Sequence, residues 1–303
     1  MKRARGSAPR GIARGATVGV VAPGFAVRPG SLDAGVRRLR RMGYEVRLGQ
    51  HVYAREGYFA GADELRAADL AAMLADPKIA AVWFARGGYG TARILDRVPW
   101  RALQKTPKPL VGYSDLTALF CAAVQRTSAP CLHGPTVNEL GRPATFHAPS
   151  LRRLLRGEGI ELRLTQRQVL APGQAAGRLL GGNLTVLAHL LGTPYSPDFR
   201  NAVLFLEEVG EEAYRVDRAL THLAMAGAFR SLAAVLIGRS SVPPRRKFPP
   251  DRTLGELLAE FFLPLGVPVV RDVPAGHVDR KWTLPIGGQA ALDTVAGRLR
   301  LAL

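Results

Sequence analysis

The sequence contains very little cysteine. Its 303 residues include only two, Cys121 and Cys131, which form neither a disulfide framework nor a zinc signature. Both stand in apolar or proline-bounded surroundings. We therefore expect two buried thiols and no metal site.

Long apolar runs are also missing. No run approaches the roughly 18 residues that a membrane span needs. The basic extension at 1–15 is followed by no apolar segment long enough for the core of a signal peptide. The sequence thus predicts a cytoplasmic protein without a membrane partner.

Acidic residues are outnumbered. There are 24 Asp and Glu against 42 Lys and Arg, which gives a net charge of +18. Such an excess can attract nucleic acid, and a nucleic-acid-binding protein is one open alternative. The excess is spread along the chain as arginine, however, and no zinc-finger, basic-zipper or RNA-binding motif accompanies it. We expect no nucleic-acid partner.

The arrangement of apolar segments predicts an α/β fold. Short apolar runs alternate with amphipathic segments in the first half, which is typical of βαβ units and a parallel sheet. The pattern loosens and becomes turn-rich before it restarts. We predict a basic extension, an N-terminal parallel-sheet domain, a linker and a smaller α/β C-terminal domain with a β-rich core, at 1–15, 16–145, 146–176 and 177–303.

Polar residues follow apolar strands at four places. They are the glycine-rich RGGYG at 86–90, the serine in GYSD at 112–115, the acids at 207–208, and the histidine in GH at 276–277. Ligands of α/β folds bind at the carboxyl ends of strands. A glycine-rich backbone, a serine, a carboxylate and a histidine are together the components of a serine hydrolase.

Each component also has an ordinary structural interpretation. Ser114 lacks the G-x-S-x-G elbow and could simply cap a helix. The RGGYG segment lacks G-x-G-x-x-G spacing and could be a tight turn. Glu207 or Glu208 could be solvated or paired with arginine. His277 could be an exposed loop residue, and His133 is its only rival as a base.

The order and spacing of the motifs resemble the LD-carboxypeptidase family of serine peptidases, which includes murein tetrapeptide carboxypeptidases and microcin C self-immunity peptidases. The matching segments are VGVVAPG, ARGGYG, GYSDLTAL, HGP, LGGNLTVL, LFLEEVGEEAYRVDRAL and GH…LPIG. The resemblance implies Ser114 as nucleophile, Glu207 as the triad carboxylate and His277 as general base. Glu208 is the alternative acid. The N-terminal domain is expected to be flavodoxin-like or similar to class I glutamine amidotransferases.

The activity implied is release of terminal D-alanine from murein tetrapeptides in cell-wall recycling, by a homodimer without a cofactor. We expect the backbone N–H groups of Asp115 and Gly88 to hold the oxyanion. Arg86, Tyr89 and Asn183 are candidate substrate contacts, and the planar fork of Arg86 suits a carboxylate.

Two alternatives stay open. A microcin-type peptidase would use the same triad to cleave a peptidyl- or aminoacyl-nucleotide amide. A glutaminase-like or non-catalytic α/β ligand-binding module would use Ser114 only as a cap. The basic extension and the Pro/Arg-rich segment at 242–253 are unlike the family, and the sequence assigns them no role.

Overall fold

The computed structural model describes residues 11–240 and 252–303. The first ten residues of the basic extension and most of the 242–253 segment lie outside the described residues. Within the described ranges, no helix combines the length and the apolar character that crossing a bilayer requires.

The described strands, in chain order, are β1 (Thr17–Val21), β2 (Glu45–Leu48), β3 (Ile79–Phe84), β4 (Leu110–Gly112), β5 (Cys131–His133), β6 (Ile160–Arg163), β7 (Val169–Ala171), β8 (Gln174–Asn183), β9 (Ala202–Glu207), β10 (Ala234–Gly238), β11 (Val269–Val273), β12 (Leu284–Ile286), β13 (Gln289–Asp293) and β14 (Arg298–Ala302). The described α-helices are α1 (Asp33–Arg41), α2 (Asp63–Ala75), α3 (Trp100–Lys105), α4 (Thr117–Arg126), α5 (Val137–Leu140), α6 (Ala148–Leu155), α7 (Leu184–Leu190), α8 (Ala213–Met225) and α9 (Leu254–Phe262).

The first sheet is built on the parallel strands predicted from the sequence. Its order is β12-β5-β4-β3-β1-β2, and β1 to β5 are parallel to one another. This is the 2-1-3-4-5 order of flavodoxin-like sheets, in which a ligand crevice forms where the strand order reverses, beside β1 and β3. The likeness to class I glutamine amidotransferases stays a prediction.

The second sheet is mixed. Its order is β6-β14-β13-β8-β9-β10-β11-β7, with β8 to β11 parallel and the other pairs antiparallel. The central strands β9 and β10 are buried along their whole length. That burial explains their continuous apolar sequences, because both faces of a central parallel strand are covered.

Residues 146–176 hold more strand than their turn-rich pattern indicates, while the short helix that FHAPSLRRLLRGEG predicts is present as α6. This segment holds α6, β6, β7 and the start of β8, and β6 and β7 form the two edges of the second sheet. In β6 only every second residue, Ile160 and Leu162, faces the core. An edge strand of this kind has too few apolar residues to stand out in the sequence. The domain boundaries themselves stay predictions.

The N-terminus of α1 also differs from expectation. The segment SLDAGVRRLRRMG predicts a helix that Ser31 caps and that ends at Gly43. The helix begins after Leu32, without a side-chain cap, and the Ser31 hydroxyl donates instead to the Arg28 carbonyl at 2.7 Å. Gly43, with a φ of 95°, follows the end of the helix as predicted.

The two sheets are interlocked near the C-terminus. After β11 in the second sheet, the chain passes through the loop that carries His277 and forms β12, which pairs antiparallel with β5 of the first sheet. It then returns to the second sheet as β13. The His277 loop is therefore fixed at one end to each sheet.

Candidate active site

Ser114 stands on a strained turn between β4 and α4. Its φ is 67°, a left-handed conformation that costs energy for any residue except glycine. It opens a 3₁₀ turn, Ser114–Leu116, that leads directly into α4. Neither this turn nor α4 has a side-chain cap hydrogen bond, so capping does not account for the serine.

The Ser114 hydroxyl faces His277. The distance from Ser114 Oγ to His277 Nε2 is 3.1 Å, and the distance from His277 Nδ1 to Glu207 Oε2 is 2.7 Å. The serine follows a strand of the first sheet, and Glu207 ends β9 of the second. Each of the three groups is within hydrogen-bonding distance of the next, as nucleophilic catalysis by a serine requires.

The Glu207 carboxylate is fully buried. Burial raises its pKa, but the hydrogen bond and charge of His277, with help from His133, outweigh that effect and hold the pKa below its ordinary value. Gly276 allows this close approach, because a Cβ on it would lie 2.7 Å from Glu207 Oε2. The carboxylate can therefore stay ionised and accept a hydrogen bond from the Nδ1–H of His277.

The Glu208 carboxylate does not contact His277 and instead accepts hydrogen bonds from other groups. Its oxygens accept hydrogen bonds from Asn183 Nδ2 at 3.0 Å, Thr185 N at 2.9 Å, Thr185 Oγ1 at 2.7 Å and Val209 N at 2.9 Å. Asn183 is itself buried and caps α7 by accepting from Val186 N at 3.1 Å. Both residues thus organise the start of α7.

The glycine-rich segment after β3 passes close to the serine. A Cβ on Gly87 would lie 2.9 Å from Ser114 Cβ, and one on Gly88, whose φ is 124°, would enter the Phe25 ring at 2.3 Å. The Asp115 carboxylate accepts from Thr91 N at 2.9 Å and Thr91 Oγ1 at 2.6 Å. Burial raises the pKa of Asp115, although the Thr91 bonds oppose the shift. These bonds tie the two segments together.

A cavity of about 450 Å³ opens at this point, and Ser114 and His277 line it. Three arginines also line it: Arg28, Arg86 and Arg142. Arg86 Nη1 donates to the Ala26 carbonyl at 3.1 Å, and none of the three forms an ion pair with a carboxylate of the described residues. The cavity therefore offers free positive charge beside the serine.

The other two candidate substrate contacts lie outside this lining. Tyr89 is 47% exposed and packs against Tyr58 and Phe59, with ring centroids 6.3 and 5.8 Å away. Asn183 is held at the start of α7. Of the predicted substrate residues, only Arg86 is among the residues around the cavity.

His133, the rival base, is buried and forms no hydrogen bond with the Ser114 hydroxyl. Its ring contacts Tyr113 and Phe205, at centroid distances of 5.5 and 5.2 Å. Neither ring nitrogen has a hydrogen-bond partner among the described residues. Burial lowers its pKa to about 4, although the charge of Glu207 opposes that shift.

Sequence reasoning missed a buried polar cluster beside the site. Tyr113, Glu139 and Lys281 contact one another, and Tyr113 packs its ring on His277 at a centroid distance of 4.8 Å. The only signal near Glu139 is the spacing T-x-x-E, which predicts a capping box. That box is present with Thr136.

Both cysteines are buried free thiols, as predicted. Burial raises the pKa of Cys121 to about 12 and raises the pKa of Cys131 as well. No group of three or more His, Cys, Asp or Glu side chains within the described ranges is arranged to hold a metal ion.

Comparison with known proteins identifies the family. The LD-carboxypeptidase N-terminal domain matches residues 18–134 and the C-terminal domain matches residues 176–292. A murein tetrapeptide carboxypeptidase of Pseudomonas aeruginosa is 35% identical over 298 residues, 93% of this chain and 94% of that protein. A probable murein peptide carboxypeptidase of Bacillus subtilis is 35% identical over 295 residues, 94% of this chain and 91% of that protein.

Solved structures agree. Muramoyltetrapeptide carboxypeptidase from Oxalobacter formigenes has a TM-score of 0.85 at 30% identity and covers 94% of this chain and 97% of its own. The microcin C7 self immunity protein MccF shares the fold, with a TM-score of 0.88 at 21% identity over 98% of this chain and 99% of its own. The chain belongs to the LD-carboxypeptidase family and is a serine peptidase.

Proposed function

We propose that this enzyme releases the terminal D-alanine of murein tetrapeptides through a Ser114–His277–Glu207 triad. One observation carries the proposal: the continuous chain from Ser114 Oγ to His277 Nε2 at 3.1 Å and from His277 Nδ1 to Glu207 Oε2 at 2.7 Å. The names of two relatives, each 35% identical to this chain, support the substrate.

The chemistry follows from the three side chains. Ser114 Oγ attacks the amide carbonyl while His277 Nε2 takes its proton, and Glu207 stabilises the imidazolium through Nδ1. His277 then protonates the leaving amino group of D-alanine. Water attacks the acyl-enzyme with His277 again as the base, and Ser114 recovers its proton. The proposal requires neither a metal nor an organic cofactor.

The backbone N–H groups of Asp115 and Gly88 are proposed to hold the oxyanion. Two observations support this assignment. The Asp115 N–H follows the serine at the start of a 3₁₀ turn, where backbone N–H groups lack intrahelical partners. Gly87 and Gly88 bring their backbone against the serine and Phe25 without a side chain in the way.

Arg86 is proposed to bind a substrate carboxylate. It lies beside the serine in the cavity, has no carboxylate partner among the described residues, and carries a fork that binds a carboxylate through two hydrogen bonds. A murein tetrapeptide ends in a carboxylate and carries further ones, which suits a cavity that Arg28 and Arg142 also line. Tyr89 and Asn183 have no part in this proposal.

Product analysis tests the substrate. The enzyme is incubated with murein tetrapeptide and, separately, with an aminoacyl sulfamoyl adenylate. The products of each reaction are identified by mass spectrometry. We expect a tripeptide and free D-alanine from the first. Cleavage of the adenylate alone would assign the enzyme to the microcin-type alternative. The homodimer and the cytoplasmic location also stay predictions, and sedimentation measures the first.

Substitution of the triad tests the mechanism. Ser114→Ala and His277→Ala should each lower kcat on the order of 10⁴-fold or more, because triad members act as a unit. Ser128→Ala is the matched control, since Ser128 is exposed after α4, and it should keep full activity. A Ser114→Ala enzyme that retains more than about a tenth of kcat would contradict the nucleophile assignment, as would failure of a fluorophosphonate to label Ser114.

A further inference from the structure

A buried ion pair lies beside the triad without taking part in it. Lys281 is 3% exposed, and its ammonium pairs with the Glu139 carboxylate and donates to Tyr113 Oη at 3.1 Å. Tyr113 Oη in turn donates to Glu139 Oε1 at 2.8 Å. The other carboxylate oxygen accepts from Thr136 N at 3.0 Å and Thr136 Oγ1 at 3.1 Å. Glu139 therefore has a donor on each oxygen.

This cluster contacts both reacting segments. Tyr113 directly precedes Ser114, and its ring packs on the His277 ring at a centroid distance of 4.8 Å. Lys281 lies on the loop that carries His277, and its ammonium stands 4.4 Å from the centre of the Tyr113 ring. The Tyr113 ring thus contacts both the ammonium and the imidazole. Burial and the Glu139 charge raise the pKa of Tyr113, so its hydroxyl keeps the proton it donates.

The Lys281 end of the loop is fixed by backbone bonds as well. Arg280 N donates to the Ala144 carbonyl at 2.9 Å, and His147 N donates to the Lys281 carbonyl at 2.8 Å. These bonds set where the loop runs but do not contact the His277 ring. The orientation of that ring relative to Ser114 depends on side chains, and Tyr113 is the aromatic ring packed on it.

A buried ion pair adds little stability, because removing two charges from water costs about as much as their attraction returns. We propose that the Lys281–Glu139 pair, acting through Tyr113, positions the His277 ring at hydrogen-bonding distance from Ser114. These are positioning residues, since none of them exchanges a proton or electron pair in the reaction. The inference rests on the proposed triad.

Tyr113→Phe is the sharpest test, because it removes the hydroxyl and keeps the ring. We expect kcat on murein tetrapeptide to fall roughly tenfold to a hundredfold, the loss that a misplacement of about 1 Å causes, with KM unchanged. The rate at which a fluorophosphonate labels Ser114 should fall by a similar factor. That rate reports on Ser114 and His277 without a peptide substrate.

Lys281→Met has a matched control in Lys108→Met. Lys108 is also buried, and its ammonium donates to the carbonyls of Met73 at 3.2 Å and Asp76 at 2.7 Å. Both variants lose a buried ammonium and should be less stable. Only Lys281→Met should lower kcat and the labelling rate. If Lys281→Met does not fold, Tyr113→Phe decides.

Two results would overturn the inference and leave the triad standing. One is a Tyr113→Phe enzyme with wild-type kcat and labelling rate. The other is a Lys281→Met enzyme with raised KM and unchanged kcat, which would make Lys281 a substrate-binding cation. Failure of the proposed function itself has a different signature, since Ser114→Ala would then stay active or wild-type Ser114 would resist the fluorophosphonate.

Discussion

The backbone conformation of Ser114 supports its proposed role as the nucleophile. A φ of 67° costs a serine roughly 1–2 kcal/mol relative to the right-handed conformation, and the turn provides no capping bond in return. What the conformation does provide is an Oγ that meets His277 at 3.1 Å. Strain of this kind clusters at functional sites, where the surrounding structure maintains it.

The two adjacent acids should respond differently to the same substitution. Glu207→Gln should lower kcat by about 10³- to 10⁴-fold. The glutamine amide carries no charge to stabilise the imidazolium, and its N–H can donate to His277 Nδ1 and so favour the unreactive tautomer. Glu208→Gln should keep most of kcat and instead cost about 1–3 kcal/mol in the free energy of unfolding, since it disturbs buried hydrogen bonds. Steady-state kinetics and urea unfolding of both variants measure this. The reverse ranking in kcat would move the role to Glu208.

His133 makes the stability of the protein depend on pH. Burial lowers its pKa from 6.5 to about 4, so between these values the unfolded chain binds a proton that the folded chain does not. Its contribution is fully present above pH 6.5 and is lost as the pH falls toward 4. The total loss is on the order of 3 kcal/mol, at 1.36 kcal/mol per pKa unit.

His133→Phe tests this dependence. Phenylalanine keeps the ring contacts with Tyr113 and Phe205 and cannot titrate. The free energy of unfolding, measured in urea across this pH window, should fall less steeply with acid in the variant than in the wild type. His189→Gln, which replaces an exposed histidine on α7, should keep the wild-type slope. An unchanged slope in His133→Phe would show that His133 is not the titrating group.

At the scale of elements, the site depends on how closely the segment after β3 approaches the turn after β4. Gly87→Ala places a methyl group 2.9 Å from Ser114 Cβ and 3.1 Å from its Oγ, which is too close unless the serine moves. We expect kcat to fall about tenfold or more from this displacement. The free energy of unfolding should change little, because the φ of Gly87 is outside the positive region.

Gly255→Ala is the control for that substitution. Gly255 lies in α9, and the nearest atom to its added Cβ is Thr253 Oγ1 at 3.8 Å. This variant should keep wild-type kcat and gain up to about 1 kcal/mol from helix propensity. Full activity of Gly87→Ala would mean that the serine turn tolerates displacement.

The individual strands also show what the sequence can and cannot predict. The buried strands β1, β3 and β9 were recognisable because continuous apolar runs are characteristic of central parallel strands. Because neighbouring side chains of a strand point to opposite faces, only one of the two adjacent acids can reach His277, but the alternation does not say which one. The edge strand β6 was missed because half of its residues face solvent. The Lys281–Glu139 pair spans 142 residues, and no local pattern reports a contact across that separation.

At the scale of the whole molecule, the residues of the proposed triad come from both sheets. Ser114 follows a strand of the first sheet, Glu207 ends a strand of the second, and His277 lies on the loop between β11 and β12. The chain leaves the second sheet after β11, adds β12 to the first sheet beside β5, and returns to the second sheet as β13. The two sheets are therefore linked by chain segments at both ends of β12.

This interlocking predicts that the two sheets unfold together. Large chains with separate domains commonly unfold in more than one step. Here, unfolding of the first sheet would remove the pairing of β12 with β5, and unfolding of the second would release β11 and β13 on either side of β12. All three tryptophans, Trp83, Trp100 and Trp282, lie outside the second sheet. Tryptophan fluorescence therefore follows the first sheet, far-UV circular dichroism follows both, and activity by the proposed triad requires Glu207 from the second. We expect the three urea transitions to share one midpoint. A circular dichroism transition that persists after fluorescence and activity are lost would mean that the second sheet is stable alone.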